Sequence, residues 1–412
     1  MGKKRILSSK IKELSKMFPV VAVVGPRQCG KSTLVQQTFP DWKYYDLEDQ
    51  DHFQLISSNP KNFFELHPEK IIIDEAQIFP ELFRTLRSVI DKKRSLKGRF
   101  ILTGSSSPDI VKGLNESLAG RISTVEMWPF KVNEYIEKTS SPFYEMIFDP
   151  KKNKDDFGSI KSISTLSDTY QCWFKGGFPE PLIQSETNPL FLNQWYQSYV
   201  ASYIQRDIRA LFPRLNIQSF QRFLTSLAHF SGHQVNVNSI ASALEVSHTT
   251  VRDYLDIIHQ TFVWRNLPSF EKNKLKKVQK APRGFFRDQG ILHHLLKIQT
   301  LDDLLIHPVA GFSFESFVVE EIIRGVQGTM CTQVDFSYYR TIDKSEIDLI
   351  IDSPSGFVPI EIKLGSTVKP KQLIGLKNFL KDTKSRYGFW INTSDRVELL
   401  AENIIQIPVT HL

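Results

Sequence analysis

Gly25-Pro26-Arg27-Gln28-Cys29-Gly30-Lys31-Ser32 follows directly on the apolar run Val20-Val21-Ala22-Val23-Val24 and leads into Thr33-Leu34-Val35-Gln36-Gln37. A buried strand, then GxxxxGK[ST], then helix-competent sequence is the setting in which a glycine-rich loop grips phosphate. Backbone N–H groups of the loop and of the helix start present positive charge to the phosphates. The nucleotide-binding residues read here are Gly25, Pro26, Arg27, Gln28, Cys29, Gly30, Lys31, Ser32 and Thr33. Lys31 is expected to neutralise the β and γ phosphates of ATP, and the Ser32 hydroxyl to ligate Mg²⁺.

Outward from the loop, a second apolar run, Ile71-Ile72-Ile73, ends in Asp74-Glu75. Ligands of α/β sheets bind at the C-terminal ends of strands. Asp74 is therefore expected to hold the magnesium through water, and Glu75 to orient and deprotonate the attacking water. A third run, Phe100-Ile101-Leu102-Thr103, leads into Gly104-Ser105-Ser106-Ser107. Ser105 reads either as a sensor of the γ phosphate or as ordinary turn chemistry. Arg121, in Leu118-Ala119-Gly120-Arg121, reads as a finger towards a neighbouring subunit, a sensor in its own site, or a plain surface arginine. Leu82, Leu86 and Ile90 share one helical face, and apolar runs separated by helices predict a parallel sheet covered on both faces.

These segments, with Tyr45-Asp46-Leu47-Glu48 and Ile73-Asp74-Glu75-Ala76-Gln77 in the same order, resemble the prokaryotic AAA-type P-loop ATPases that carry an uncharacterised C-terminal domain. Gly176-Gly177-Phe178-Pro179, Tyr203-Ile204-Gln205-Arg206-Asp207-Ile208 and Phe286-Arg287-Asp288-Gln289-Gly290 extend the resemblance over nearly the whole chain, as family markers without assigned chemistry. Cys29 departs from the aliphatic residue usual in that family and is expected to make the loop sensitive to oxidation.

In the middle of the chain, Asn238 is placed as the cap of a helix over 239–244, followed by a turn at 245–247 and a second helix over 248–260. Phe262-Val263-Trp264 then reads as a strand. Helix, turn, helix, strand predicts a winged helix. Ser247, His248, Thr249, Thr250 and Arg252 are its candidate contacts to DNA, with Arg252 the single firm cation, so packing against protein is weighed beside DNA contact. Lys272, Lys274, Lys276, Lys277, Lys280, Arg283 and Arg287 form a basic stripe flanked by Phe270, Phe285 and Phe286. It reads as a track for a nucleic-acid backbone or as a solvated linker.

Towards the C-terminus, Glu346-Ile347-Asp348-Leu349-Ile350-Ile351-Asp352 and Phe357-Val358-Pro359-Ile360-Glu361-Ile362-Lys363 flank Ser353-Pro354-Ser355-Gly356, which predicts a hairpin. Pairing Asp352 with Phe357 sets Asp348 opposite Glu361 and brings Lys363 to the same face. Two close carboxylates need a cation between them or a shared proton. Asp348 and Glu361, with Glu315 from a helix over 314–326, are accordingly expected to bind Mg²⁺ or Mn²⁺, and Lys363 to position a water or stabilise the transition state. Asp348 and Glu361-Ile362-Lys363 resemble the PD-(D/E)xK nuclease fold. The motif's proline before the first acid is replaced by Ile347, and Pro359 predicts an edge strand or a non-bonded position. A surface hairpin, a nuclease-like fold that no longer cuts and a working metal-dependent nuclease stay open.

Composition fits this multidomain α/β reading. The chain has 412 residues, 41% hydrophobic and 24% charged, too long for one ordinary core and too apolar for disorder. No run approaches the roughly 18 to 20 apolar residues of a spanning helix, no secretory segment follows the basic start, and Cys29, Cys172 and Cys331 form no CxxC pair. A cytoplasmic protein with no membrane partner is expected. The net charge of +7 permits nucleic-acid contact without requiring it. The expected domains are an ATPase over 1–140, a polar linker over 141–168, a helical region over 169–218, a winged helix over 219–270 and a nuclease-like domain over 271–412. The expected activity is ATP hydrolysis that controls a nuclease-like domain acting on DNA or RNA; the alternative is a signalling or scaffold ATPase whose C-terminal domain binds a protein partner and cuts nothing. Self-association into a homo-oligomer fits either.

Overall fold

Runs of β-branched residues buried on both faces demand a sheet covered on both sides. The computed structural model, which describes residues 2–105, 117–203, 208–209, 212, 215–271, 281–341 and 346–412, places the three apolar runs in one such sheet. Its strands are β1 (Val20–Gly25), β2 (Lys43–Asp46), β3 (Ile71–Asp74), β4 (Phe100–Ser105) and β5 (Ile122–Glu126), in the order β2-β3-β4-β1-β5, all parallel. Alternate side chains go to opposite cores. Val21, Val23, Ile72 and Ile101 pack with residues of α1 (Leu7–Met17) and α2 (Lys31–Thr38). Val20, Ala22, Ile71, Ile73, Phe100 and Leu102 pack with Leu82, Leu86 and Ile90 of α3 (Glu81–Lys92), the helical face the spacing predicts. The apolar runs do not reveal β2 and β5, because these flanking strands of the sheet are only partly buried and their sequences are mixed.

The chain divides into two compact units, residues 1–130 with 260–262, and residues 131–259 with 263–412. The second unit begins with helical, aromatic-rich sequence, including α4 (Leu166–Lys175) and α5 (Pro189–Ser202). The stretch expected as a linker is instead packed down. Phe157 is fully buried edge-to-face against Phe143, Tyr387 and Phe389, and the amides of Ile163 and Ser164 donate to the carbonyl of Thr410. A few apolar residues in a polar stretch are enough to anchor it.

The winged-helix order follows: α6 (Ile217–Ala228), β6 (His233–Gln234), α7 (Val237–Leu244), α8 (His248–Gln260), β7 (Trp264–Leu267) and β8 (Arg283–Phe286), with the strands in the antiparallel order β6-β8-β7. Asn236, not Asn238, caps α7, accepting from the amide of Ser239, and the strand after α8 begins at Trp264. Because β8 completes this sheet, the winged helix runs past the boundary expected at 270. Val251, Tyr254, Leu255, Ile257 and Ile258 bury one face of α8. The other face exposes His248, Thr249, Arg252, Asp253 and Asp256. The Ser247 hydroxyl accepts from the amide of Thr250 and so serves as a cap. One arginine beside two aspartates gives this face no net attraction for phosphate.

Next come α9 (Gln289–Leu295), α10 (Ala310–Gly328), longer than the helix read from sequence, and a six-stranded mixed sheet. Its strands are β9 (Asp335–Arg340), β10 (Glu346–Ser353), β11 (Gly356–Ile362), β12 (Gly388–Asn392), β13 (Glu398–Ala401) and β14 (Ile404–Pro408), in the order β13-β14-β12-β11-β10-β9, with α11 (Ile374–Thr383) between β11 and β12. β10 and β11 form the predicted hairpin, with Asp352 paired to Phe357 and Leu349 to Ile360. β11 is central, not an edge; its ladder with β12 begins at Ile360, so the amide missing at Pro359 is not needed there. Among the described residues no helix is long and apolar enough to cross a membrane.

Two of the family markers without assigned chemistry also find a structural reason here, while residues 204–207 of the third lie outside the described residues. Asp288 accepts from the amide of Gly177 at 2.8 Å and from the Tyr196 hydroxyl at 3.0 Å. Gly290 lies so close under that hydroxyl that a Cβ there would stand 2.0 Å from it and 2.5 Å from the Lys175 carbonyl. Gly290→Ala is expected to destabilise the chain by about 2 kcal/mol through overpacking, read as a lower denaturant midpoint.

Candidate functional site

Parallel pairing sets the C-terminal ends of the strands level, with Gly25 opposite Ser105 and Asp46 opposite Asp74. The loop after β1 closes on Gly30, whose φ of +97° a side chain would resist, and α2 starts at Lys31. Lys31 is buried, and its Nζ donates to the carbonyls of Gly25 at 3.1 Å and Pro26 at 3.0 Å. That bonding folds the loop around its own cation. Gln28 is also left-handed, at φ +60°. Arg27 pairs with Glu48 at 2.7 Å. Cys29 is fully buried, and burial pushes its thiol pKa up, so it is shielded from the oxidation its sequence position raised.

Asp74 is buried beneath the loop. Its carboxylate accepts from the Tyr44 phenol and the Thr103 hydroxyl, and the Ser32 hydroxyl lies near enough to favour its charged form. Burial raises the Asp74 pKa, and Ser32 and Tyr44 only partly offset this. Glu75 adopts a left-handed backbone, φ +51° and ψ +46°, a conformation of some cost for a non-glycine residue. Its amide donates to the Thr103 hydroxyl at 3.2 Å. Its Oε2 accepts from the Ser105 amide at 3.1 Å, the Ser105 hydroxyl at 2.6 Å, and the Gln77 amide group. Burial alone would raise the Glu75 carboxyl, but the Lys31 charge and the bonds from Ser105 and Gln77 outweigh it and hold the group below its ordinary range. Glu75 is thus an ionised, oriented carboxylate at neutral pH.

Ser105 therefore ends a strand and grips Glu75, rather than sitting in a turn; Ser106 and Ser107 lie outside the described residues. Tyr44, Gln77 and Thr103 were missed as site residues. Thr103, a hydroxyl ending an apolar run, and Gln77, two residues past Glu75, were local signals, whereas the Tyr44 contact depends on strand order. Arg121 is not part of this site. Val20 pairs with Ile122, so Arg121 stands at the N-terminal edge of the sheet, roughly 16 Å of strand from the loop. There it forks onto Asp91 at 2.7 and 2.9 Å, which excludes the sensor role in its own site.

Magnesium fits the first site. Ser32 and Asp74 present an all-oxygen donor pair, and a buried carboxylate with a raised pKa is one that a divalent cation would keep ionised.

The second candidate cluster assembles from β8, α10, β10 and β11. Asp348 on β10 and Glu315 on α10 share the guanidinium of Arg283 on β8, at 2.7 and 2.5 Å. Lys363 reaches Glu361 at 2.9 Å, Glu315 at 3.2 Å and Asp348 at 3.3 Å. The convergence of Asp348, Glu361 and Lys363 follows the predicted register. Metal ligation does not. The cation between Asp348 and Glu315 is Arg283, which the basic-stripe reading had placed on a solvent-facing track. Burial would raise Asp348, but Lys363 and Arg283 hold it low; burial and the Asp348 charge push Glu361 well above its ordinary range. Arg283 and Lys363 already pair with these three carboxylates at 2.5 to 3.3 Å, so Glu315, Asp348 and Glu361 as arranged have cations of the chain where a metal would sit. Among the described residues no group of three or more such side chains is arranged to hold one. Arg287 is likewise buried, 3.6 Å from Glu320, which Arg265 and Arg324 also face; Lys272, Lys274, Lys276, Lys277 and Lys280 lie outside the described residues.

Comparison with known proteins divides the chain in three. Residues 17–136 match the AAA domain, residues 166–302 a domain of unknown function (DUF8612), and residues 310–412 another (DUF4143). The uncharacterized proteins Rv2008c of Mycobacterium tuberculosis and Mb2031c of Mycobacterium bovis are each 30% identical over 415 aligned residues, covering 99% of this chain and 84% of theirs. Among solved structures, the Walker-type ATPase of Pyrococcus abyssi aligns at 14% identity and a TM-score of 0.45, over 72% of this chain and 96% of its own. The Aeropyrum pernix ORC1 protein, solved in complex with DNA, aligns at 9% identity and 0.30, over 72% and 93%. Both likenesses are too weak to assign a fold.

Removing Arg283 would leave Asp348 and Glu315, both held from water, with Lys363 as their one shared cation among the described residues. Arg283→Met is expected to destabilise the chain by about 3 kcal/mol, read by urea unfolding at neutral pH.

Proposed function

We propose, because this chain belongs to the family of the two mycobacterial proteins and carries an AAA-type P-loop ATPase domain at its N-terminal end, that it binds ATP with Mg²⁺ and hydrolyses it at the loop of residues 25–32. The observation that carries the reading is Glu75, a half-buried carboxylate whose pKa the Lys31 charge lowers and which Ser105 and Gln77 aim, beside the hydroxyl-bonded Asp74. The amides from Gly30 onwards cradle the phosphates, and Lys31 exchanges its two carbonyl partners for phosphate oxygens. Ser32 and Asp74 hold the magnesium, which supplies charge to the leaving phosphates. Glu75 takes the proton of the attacking water. Ser105 acts through Glu75, as a positioning residue.

For the second unit, the reading the cluster supports best is that the C-terminal domain engages a partner under the control of nucleotide state and does not cut nucleic acid. Arg283 supports it, since it stands where a catalytic cation would. The nuclease reading draws support from the convergence of Asp348, Glu361 and Lys363, and from the buried Oε2 of Glu361, which has no hydrogen-bond partner among the described residues.

Lys31→Ala is expected to weaken ATP binding at least about tenfold. Glu75→Gln should bind ATP normally while losing turnover by about a hundredfold or more; turnover at the wild-type rate would remove Glu75 from its role. With single- or double-stranded DNA or RNA, Mg²⁺ or Mn²⁺, and ATP present or absent, the purified chain is expected to cut nothing. Cleavage that Asp348→Asn abolishes while ATP turnover survives would establish the nuclease instead.

A further inference from the structure

Arg5 is a buried cation that the reading above does not use. It lies just before α1, and its Nη1 donates to the carbonyl oxygen of Cys29 at 3.1 Å. Its Nη2 donates to the carbonyl of Trp128, and the guanidinium sits 4.6 Å above the centre of the Phe130 ring. A buried guanidinium is tolerated only where partners compensate it, and two of the partners of Arg5 are backbone carbonyls.

What it holds is the backbone of the phosphate loop. We infer that Arg5 is a positioning residue for phosphate binding, which fixes the Cys29 carbonyl behind the loop and thereby turns the Gly30 N–H into the cradle. In a trans peptide the carbonyl and the following N–H point in opposite directions, and the Cys29–Gly30 bond is trans. The same guanidinium steadies the other end of the loop. Trp128 follows Met127, whose amide donates to Val24 at 2.7 Å. The Met127 carbonyl oxygen lies 2.2 Å from where a Cβ on Gly25 would stand. One side chain therefore ties the backbone that shoulders the first glycine of the loop to the residue that precedes the last. Its charge also stands close behind the phosphate cradle, where it favours an anion.

This inference rests on the proposal that the loop binds nucleotide. Titration of the full-length chain with ATP and with ADP in magnesium buffer tests both, each with its own signature. Arg5→Met, which removes both donors, is expected to weaken ATP and ADP alike by about tenfold, because the Gly30 amide serves phosphate common to both. The number of sites per chain should stay at the wild-type value. Arg5→Lys keeps the charge and a single-point donor and is expected to be only about threefold weaker. If Arg5→Met fails to fold, Arg5→Lys decides by the same criterion. Wild-type affinity in the deciding variant would overturn the inference, whether at full or reduced site number, since a merely structural role lowers the folded fraction without touching the affinity of what remains. A wild-type chain that binds neither nucleotide would sink the ATPase proposal itself; a wild type that binds beside an unaffected variant sinks only the role of Arg5.

Discussion

The carboxylate of Asp74 is the fixed point of the first unit. It is buried and receives hydroxyls from Tyr44 on β2 and Thr103 on β4, and the Ser32 hydroxyl on α2 lies near enough to favour its charged form. A buried carboxylate is tolerated only where such bonds or a cation compensate it. Satisfying Asp74 therefore requires the helix start, the flanking strand β2 and the inserted strand β4 to be in register at one level. The same register carries Ser105 to Glu75, so the feature that makes Asp74 tolerable also aims its neighbour.

The second unit solves its charge problem differently, with side-chain cations. Glu320 lies on α10 among Arg265, Arg287 and Arg324; burial works to raise its carboxyl, but the three guanidinium groups bring it down to about 2. Lys131 is wholly buried, with its Nζ donating to the Tyr144 hydroxyl at 2.6 Å and the Glu321 carbonyl at 3.0 Å. Arg283 and Lys363 among Asp348, Glu315 and Glu361 follow the same rule. Buried ion pairs of this kind add little net stability but penalise every arrangement that separates them, so they bind β8, α10 and the hairpin to one geometry. An acidic cluster already closed by two cations of the chain is poorly suited to recruit a metal.

Sequence reading went furthest where an interaction spans only a few residues. The loop from Gly25 to Ser32, the acidic end of β3, the apolar face of α3, the helix from His248 to Gln260 and the hairpin register from Asp352 to Phe357 all follow from periodicity and turn chemistry, which act locally. It went astray where a side chain's partner is remote in sequence. Arg283 and Arg287 read as part of a basic stripe because nothing near them in the chain announces Glu315, Asp348 or Glu320. The polar stretch before α4 read as a linker because Phe157 is a single aromatic whose partners include Tyr387 and Phe389.

Alone, the sequence determined that a phosphate-gripping loop follows a buried strand, that an Asp-Glu pair ends another, and that two carboxylates and a lysine share one face of a C-terminal hairpin. Backbone geometry settles those matters within one element or across one tight turn. Only the tertiary structure decided that β4 lies between β1 and β3, which gives Ser105 to Glu75, and that β5 pairs with β1 so that Arg121 stands at the N-terminal edge of the sheet. It likewise decided that Arg283 closes the acidic cluster. Sheet order and packing between distant segments are set by the summed burial of whole faces, and a motif a few residues long carries no record of them.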